Sequence, residues 1–137
     1  PIAAGIVAGT LVSFLSTIVL VRCFGGSEEL LRSALPKSAS SPISIEIVRA
    51  FGGIPELGAV LTVLTGLFGS MFGTMFLRWI GVRTDLAVGI AMGTAAHGIG
   101  TAKVIRDSEL RGAYSSLAMG VAGVLVSVLS VFVYRLL

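Results

Sequence analysis

The sequence predicts an all-α integral membrane protein, a polytopic helical bundle with about four transmembrane helices, a short surface helix and one re-entrant or broken helix. Of its 137 residues, 55% are hydrophobic and only 12% are charged, whereas a globular domain carries roughly 25% charged residues. The mean hydropathy is +1.00. This composition excludes a soluble enzyme, a disordered chain and a nucleic-acid-binding protein, and it makes the lipid bilayer the expected partner.

Four stretches without any charged residue have the length of membrane spans. A helix needs about 20 residues to cross the hydrocarbon layer, and about 17 to 25 are acceptable. The stretches lack the alternation of barrel strands, so we expect helices. They are Pro1–Val21, Leu57–Leu77, Leu86–Ala102 and Gly112–Tyr134.

The segment Phe24–Pro55 contains two shorter helices. Ser27 is a typical N-cap for a helix over Glu28–Leu35, which we expect to lie along the membrane surface. Ser41 is a typical N-cap for a second helix over Ile43–Phe51, which follows a proline at the first helical position. Neither helix is long enough to cross a bilayer alone.

Residues 36–51 either cross the membrane as part of a broken helix or enter it and return. If they cross, the Lys and Arg residues divide six against four between the two sides. If they return, the division is seven against three. Lys and Arg accumulate on one side of a membrane protein, so the count favours re-entry.

The stretch Leu86–Ala102 contains the only histidine of the chain. Glycines weaken helix propensity by roughly 1 kcal/mol each, so we expect the helix to break just after this histidine. Broken helices at membrane depth form the binding sites of secondary transporters. We predict that Thr94, His97, Gly98, Gly100 and Thr101 bind substrate, and that the imidazole couples a proton because it titrates near neutral pH. The alternative is a packing histidine bonded to a neighbouring hydroxyl or carbonyl group.

A second polar segment precedes the helix over residues 43–51. Ser38, Ser40 and Ser41 carry hydroxyls beside Lys37, and free N–H groups at a helix start bind carboxylates. We predict that the three serines bind substrate, with a polar interfacial loop as the equally open alternative. Glu46 either pairs with the arginine three residues later or, if it faces the bundle, couples a proton or cation.

We expect His97 and Ser38–Ser41 to lie together inside the bundle, because both would be costly facing lipid. The hydroxyls would then satisfy the imidazole and leave a small polar cavity for a carboxylate, with Lys103 too near the membrane surface to reach it. Gly69 and Gly73 form a G-x-x-x-G pattern, typical of a close helix contact or a dimer face. The sequence shows no catalytic set, phosphate loop or metal-ligand cluster, so we predict no enzyme activity, no metal and no cofactor.

Five motifs follow one another along the chain: Pro36-Lys37-Ser38…Ser41-Pro42-Ile43, Gly52-Gly53-Ile54-Pro55, Leu64-Thr65-Gly66, Gly93-Thr94-Ala95…His97-Gly98-Ile99-Gly100-Thr101-Ala102, and Gly112-Ala113 with Leu117-Ala118-Met119-Gly120. In this order they resemble the LrgB/CidB family of bacterial membrane proteins, whose domain is shared by plastid glycolate/glycerate translocators. The resemblance implies that residues 1–137 are a single LrgB-like membrane domain, the C-terminal part of a longer protein. The chain departs from the family pattern at Ala96, where the family has serine.

The resemblance implies two functions. The family is described as antiholin-like or holin-like, modulating murein hydrolase activity and autolysis with an LrgA/CidA-type membrane partner. Related members are described as carriers of small monocarboxylates such as pyruvate, glycolate or glycerate. A deep histidine in a glycine-broken helix favours a carrier, since a holin needs only self-associating spans. We therefore expect a multi-pass, homo-oligomeric protein of the bacterial plasma membrane rather than the plastid inner envelope, with a small carboxylate substrate and an LrgA/CidA-like partner.

Overall fold

The computed structural model describes residues 2–136, and nearly all of them are helical. The predicted all-α fold class is confirmed. Pro1 and Leu137, the ends of the predicted domain, lie outside the described residues. The helices are α1 (Ile2–Cys23), α2 (Glu28–Ala34), α3 (Ser41–Ala50), α4 (Pro55–Trp79), α5 (Asp85–Asp107) and α6 (Glu109–Leu136), and a 3-10 turn over Leu35–Ser38 precedes α3.

Three helices are long and apolar enough to cross a membrane: α1, α4 and the part Glu109–Arg135 of α6. They coincide with three of the four predicted spans. Large apolar side chains such as Val12, Phe68 and Phe132 are exposed on them, which suits contact with lipid. The remaining predicted span, Leu86–Ala102, lies within α5 and requires correction.

α5 folds back on itself at His97. The backbone there has φ 40° and ψ −135°, outside the helical region, and divides α5 into two arms, residues 85–96 and 98–107. Ser108, which follows the second arm, donates from Oγ to Asp85 Oδ2 at 3.4 Å. In a straight helix, a rise of 1.5 Å per residue would separate these two residues by about 34 Å. The arms are therefore antiparallel, and α5 is a helical hairpin, the C-terminal hairpin.

Side-chain contacts along both arms agree with this reversal. Val88 of the first arm and Val104 of the second belong to one buried cluster. The backbone of Gly93 lies against the Ser115 carbonyl group of α6, and Thr101 Oγ1 lies 2.8 Å from Ser115 Oγ. The prediction that Leu86–Ala102 crosses the membrane was therefore wrong. A charge-free run of that length can equally form two short arms when small residues let the arms and α6 approach closely.

α2, the 3-10 turn and α3 form a second hairpin, the N-terminal hairpin (residues 28–50). Arg32 Nη1 in α2 donates to the Phe51 carbonyl oxygen at 3.3 Å. Ser33 Oγ accepts a hydrogen bond from the Ile54 N–H at 2.8 Å. The chain that leaves α3 therefore returns to α2, and the 3-10 turn is the tip. Of the two alternatives for residues 36–51, the structure confirms the return.

Two details of the N-terminal hairpin differ from the prediction. Ser27 caps α2 as predicted, its Oγ accepting from the N–H three residues on at 3.1 Å, but α2 is not a surface helix. Leu31 and Leu35 are fully buried, because this arm packs against α1 and α4. α3 begins at Ser41, so its N-cap is Ser40 and not Ser41.

The two hairpins form an inverted repeat with the helices that precede them. They occupy residues 28–50 and 85–107, an interval of 57 residues. The caps Ser27 and Thr84 recur at the same interval, and each accepts from the N–H three residues on. Because α4 begins at the base of the first hairpin and ends at the base of the second, the hairpins enter the bundle from opposite ends. Many secondary transporters are built from such inverted repeats.

Glycines of α4 provide the surface on which the C-terminal hairpin packs. Gly66, Gly69 and Gly73 lie at helical spacing along α4. Gly69 and Gly73 lie against Ala96 and Met92 of the first arm of α5, and Gly66 lies against His97 and Ile99 at its tip. A Cβ added to Gly73, for example, would lie 2.7 Å from Met92 Sδ. The predicted G-x-x-x-G contact is thus a close helix contact within the chain.

Candidate functional site: a cleft between two hairpin tips

The tip of the N-terminal hairpin and the first arm of the C-terminal hairpin border an open cleft between α1 and α4, which we call the tip cleft. Along that arm the cleft extends from Ala95, close to the tip, to Leu86 at the base. Its volume is about 780 Å³. Glycines and aliphatic side chains of α1 and of the first arm of α5 make most of its walls apolar. Its polar lining residues are Ser13 of α1, Lys37 and Ser38 of the N-terminal tip, Thr65 of α4 and Thr94 of α5.

Lys37 is the one charged residue that lines the tip cleft within residues 2–136. Its Nζ donates to Thr17 Oγ1 at 2.7 Å and to Ser13 Oγ at 3.2 Å. Ser13 Oγ is also hydrogen-bonded to Ser38 Oγ. Ser13 and Thr17 lie four residues apart and therefore on one face of α1. In the described part of the chain, no carboxylate forms an ion pair with Lys37.

The electrostatics of the tip cleft favour a small anion. Lys37 lies on the 3-10 turn, outside α1, α4 and α6, and its side chain is half-buried. The hydroxyls around it orient the ammonium group but supply no negative charge. A cation held in an apolar cleft without a counter-charge is unfavourable, and an anionic ligand would remove that penalty.

His97 faces the interior, as predicted, and fixes the tip of the C-terminal hairpin to α4. Its side chain is 3% exposed, and its Nε2 lies 2.8 Å from the Thr62 carbonyl oxygen. A carbonyl oxygen only accepts, so Nε2 is the nitrogen that carries the hydrogen. The positive φ of His97 is uncommon for a residue with a side chain, and it makes this residue the turning point of the hairpin.

The predicted hydrogen bonding of His97 to the hydroxyls of Ser38–Ser41 is wrong, although the 3-10 turn that contains Ser38 does contact α5. The imidazole bonds to α4, while Ser38 bonds to α1. The helix break was expected at Gly98 to Gly100 and lies at His97 itself. The reason is spatial: the imidazole reaches the Thr62 carbonyl because Gly66 leaves room for it on α4.

The remaining predicted site residues divide into two groups. Ser38 and Thr94 line the tip cleft, and the Thr94 hydroxyl also donates to the Ile90 carbonyl at 2.8 Å. The others do not line it; they are Ser40, Ser41, Gly98, Gly100 and Thr101. Thr101 instead donates to the His97 carbonyl at 2.8 Å, inside the second arm of its hairpin.

The charged residues considered for coupling or binding lie at the outside of the bundle. Glu46 is exposed and pairs with Arg49 at 2.6 Å. It does not face the bundle, which was the condition for coupling a proton or cation. Lys103 pairs with Asp107 at 2.9 Å near the end of α5, away from the tip cleft as expected. Within residues 2–136, no group of three His, Cys, Asp or Glu side chains is placed to hold a metal ion.

The sequence alone did not assign Lys37, Ser13, Thr17 or Thr65 to a site. Lys37 stood out only as a neighbour of the predicted serines. Ser13 and Thr17 offered one weak signal, two hydroxyls at helical spacing within an apolar span. Their pairing with a lysine on another helix depends on the return of the N-terminal hairpin, which no local pattern encodes.

The fold defines a class: a helical membrane protein in which two hairpins enter from opposite ends and meet at an interior cleft. The comparison with known families identifies the protein family within this class. The chain belongs to the LrgB-like family, whose model matches residues 1–136. The resemblance of its five motifs to that family is thereby confirmed.

Several bacterial proteins are similar to the chain. YxaC of Bacillus subtilis is 36% identical over 93% of the chain and 55% of its own length. An uncharacterized protein of Haemophilus influenzae is 35% identical over 96% of the chain and 57% of its own length. The holin-like protein CidB of Staphylococcus aureus is 32% identical over 92% of the chain and 55% of its own length. The chain thus spans about half the length of these relatives, and no solved structure matches it.

Proposed function

We propose that the chain is part of a multi-pass carrier of the bacterial plasma membrane that transports small monocarboxylates of the pyruvate, glycolate or glycerate class. One observation carries the proposal. Lys37, without a carboxylate partner in residues 2–136, lies at the tip of one of two opposed hairpins and lines the cleft between them.

The architecture supports a carrier rather than a simple pore. Irregular backbone at membrane depth is tolerated only where it is buried in protein or lines a wet cavity. Here two helix reversals, at the 3-10 turn and at His97, occur inside the bundle. Opposed broken helices around a central site are the arrangement by which secondary transporters expose a substrate to each side in turn.

The chemistry of the cleft supports a small carboxylate. One ammonium group matches one carboxylate, and hydroxyls of Ser13, Ser38, Thr65 and Thr94 can pair with a keto or hydroxyl oxygen. The apolar walls suit a short carbon chain. The cleft volume of about 780 Å³ lies within the range of about 300–1,000 Å³ typical of ligand sites.

His97 has a separate role in the proposal, because it does not line the cleft. It positions the tip of the C-terminal hairpin through the Thr62 carbonyl. It is also the candidate for proton coupling, and a proton would add at Nδ1 because Nε2 already donates. An inward proton gradient should then stimulate uptake by the wild type but not by His97→Gln, and equal stimulation of both would exclude His97 from coupling.

The alternative function is a holin-like regulator of murein hydrolase activity and autolysis that acts as a homo-oligomer with an LrgA/CidA-like partner. The name of the Staphylococcus aureus relative favours it, and so do the exposed apolar side chains of α4, among them Phe68, Met71 and Phe72. Such a face suits lipid and a second membrane helix equally well.

Uptake by the purified full-length protein in proteoliposomes tests the proposal. We expect saturable uptake of labelled pyruvate, glycolate or glycerate. Lys37→Met should reduce uptake about 10- to 100-fold, since a hydrogen bond to a charged group is worth about 1.5–3 kcal/mol. Lys103→Met removes the same charge outside the cleft and is the matched control.

The two functions give different results in the same vesicles. Release of a trapped dye without uptake of any of the three acids would support the holin-like function and contradict the carrier. Equal uptake by wild type and Lys37→Met, with both proteins inserted at equal amounts, would show that Lys37 does not bind the substrate.

A further inference from the structure

A second cavity lies at the base of the C-terminal hairpin, at the end of the bundle opposite the base of the N-terminal hairpin. It has a volume of about 260 Å³, room for roughly nine water molecules at about 30 Å³ each. Three of its lining residues are arginines contributed by different parts of the chain. We call it the arginine cavity, and it is lined by Thr74, Arg78, Val82, Arg83, Val88 and Arg111.

The charges around the arginine cavity are not balanced within residues 2–136. Arg111 Nε pairs with Asp85 Oδ1 at 2.6 Å, and its Nη2 donates to the Arg83 carbonyl oxygen at 3.4 Å. No carboxylate in the described range forms an ion pair with Arg78 or Arg83. Asp85 compensates the charge of Arg111, so the charge without an internal partner belongs to Arg78 and Arg83, whose side chains are exposed at the cavity and can pair with an anion.

The position of the cavity indicates the source of that anion. It lies where α4 ends, next to Trp79, which is 82% exposed, and Trp and Arg at a span end are typical of the headgroup level of a bilayer. Exposed apolar residues of α4, such as Met75 and Phe76, continue from it along the helix and would contact acyl chains. Basic pockets between membrane helices bind the headgroups of anionic lipids.

We propose that the arginine cavity binds the phosphate group of an anionic phospholipid. Guanidinium groups suit this ligand because they present planar pairs of N–H donors to phosphate oxygens. Arg78 and Arg83 supply the charge that has no internal partner. The ion pair with Asp85 fixes the position of Arg111, which forms part of the cavity wall. The three arginines do not line the tip cleft, although Val82 lines both cavities, so variants of the arginines test this site separately from the proposed transport function.

Native mass spectrometry of the full-length protein tests the site. The probes are phosphatidylglycerol, phosphatidylcholine and inorganic phosphate, each added to delipidated protein. We expect retention of phosphatidylglycerol by the wild type, and at least about a tenfold loss in the double variant Arg78→Gln/Arg83→Gln. The matched control is Lys103→Gln/Arg106→Gln, which removes the same charge from the end of α5 without touching the cavity, and it should retain the lipid.

Each other outcome overturns part or all of the proposal. Equal retention of phosphatidylglycerol by both double variants would show that the arginines do not form the site. Equal retention of phosphatidylcholine and phosphatidylglycerol by the wild type would show that charge is not recognised. Arginine-dependent binding of inorganic phosphate without lipid retention would overturn the lipid as source. Circular dichroism and thermal melting of each variant separate loss of the site from loss of the fold.

Discussion

The contact between Gly66 and His97 gives a quantitative test of the C-terminal hairpin. A Cβ added to Gly66 would lie 2.6 Å from His97 Cε1 and 2.8 Å from Ile99 Cδ1, closer than real Cβ contacts. The imidazole cannot move away freely, because its Nε2 is bonded to the Thr62 carbonyl at 2.8 Å. Overpacking of this kind typically costs about 1–3 kcal/mol, and loss of the hydrogen bond adds about 0.5–1.5 kcal/mol. We therefore expect Gly66→Ala to destabilise the protein by about 2–4 kcal/mol.

The assay is reversible unfolding of the full-length protein in mixed micelles, followed by circular dichroism. Gly120→Ala is the control, because a Cβ at Gly120 meets no atom within 4 Å, and it should change stability by less than about 1 kcal/mol. In a His97→Gly background the imidazole is absent and only the contact with the flexible end of Ile99 remains, so Gly66→Ala should cost less there. If Gly66→Ala is as stable as Gly120→Ala, the contact described between the hairpin tip and α4 is incorrect.

Two further predictions test the hairpins themselves. In a protein without its native cysteine, a short bismaleimide should join cysteines introduced at Asp85 and Ser108. It should not join cysteines at Asp85 and Ala95, which lie about 15 Å apart along one arm. Failure to cross-link the first pair would indicate a straight α5. Ser33→Ala should destabilise the N-terminal hairpin by about 1–3 kcal/mol, because it leaves the Ile54 N–H without its acceptor, and hydrogen exchange at Ile54 should accelerate; unchanged exchange would contradict the described return of the chain.

The spans and the short helices follow from local chemistry, and for that reason the sequence predicts them. Runs of apolar residues must be helical in lipid, and the hydroxyl of Ser27 marks the start of α2. The break near His97 was also visible, because glycines weaken the helix around it. These features depend on neighbours a few residues away. The structure confirms the helices of three of the four predicted spans, the cap of α2 and the break near His97.

The direction of the chain after a break could not be predicted, because it depends on distant residues. A charge-free run such as Leu86–Ala102 has the composition of a short span whether it crosses or returns. Its reversal is decided by contacts with Gly66 of α4 and Ser115 of α6. The count of Lys and Arg residues favoured the return of residues 36–51, which the structure shows, but it assumed that Leu86–Ala102 crosses the membrane, which is wrong. With both hairpins returning, Lys37 lies at a tip, and the other nine of the ten Lys and Arg residues divide four against five. The base end of the N-terminal hairpin has Arg22, Arg32, Arg49 and Arg135, and the base end of the C-terminal hairpin has Arg78, Arg83, Lys103, Arg106 and Arg111.

The tip of the N-terminal hairpin also has a consequence for how the protein enters the membrane. Both hairpins keep their other charges on the arms or at the base, and Lys37 is the one charged residue at either tip within residues 2–136. Inserting a lysine near the centre of a membrane costs roughly 2.5–3.5 kcal/mol, part of which the hydroxyls of Ser13 and Thr17 offset. A methionine at position 37 would insert more easily. Lys37 therefore raises the free energy of inserting the hairpin into the membrane. Selection for stability alone would not keep a lysine at this position.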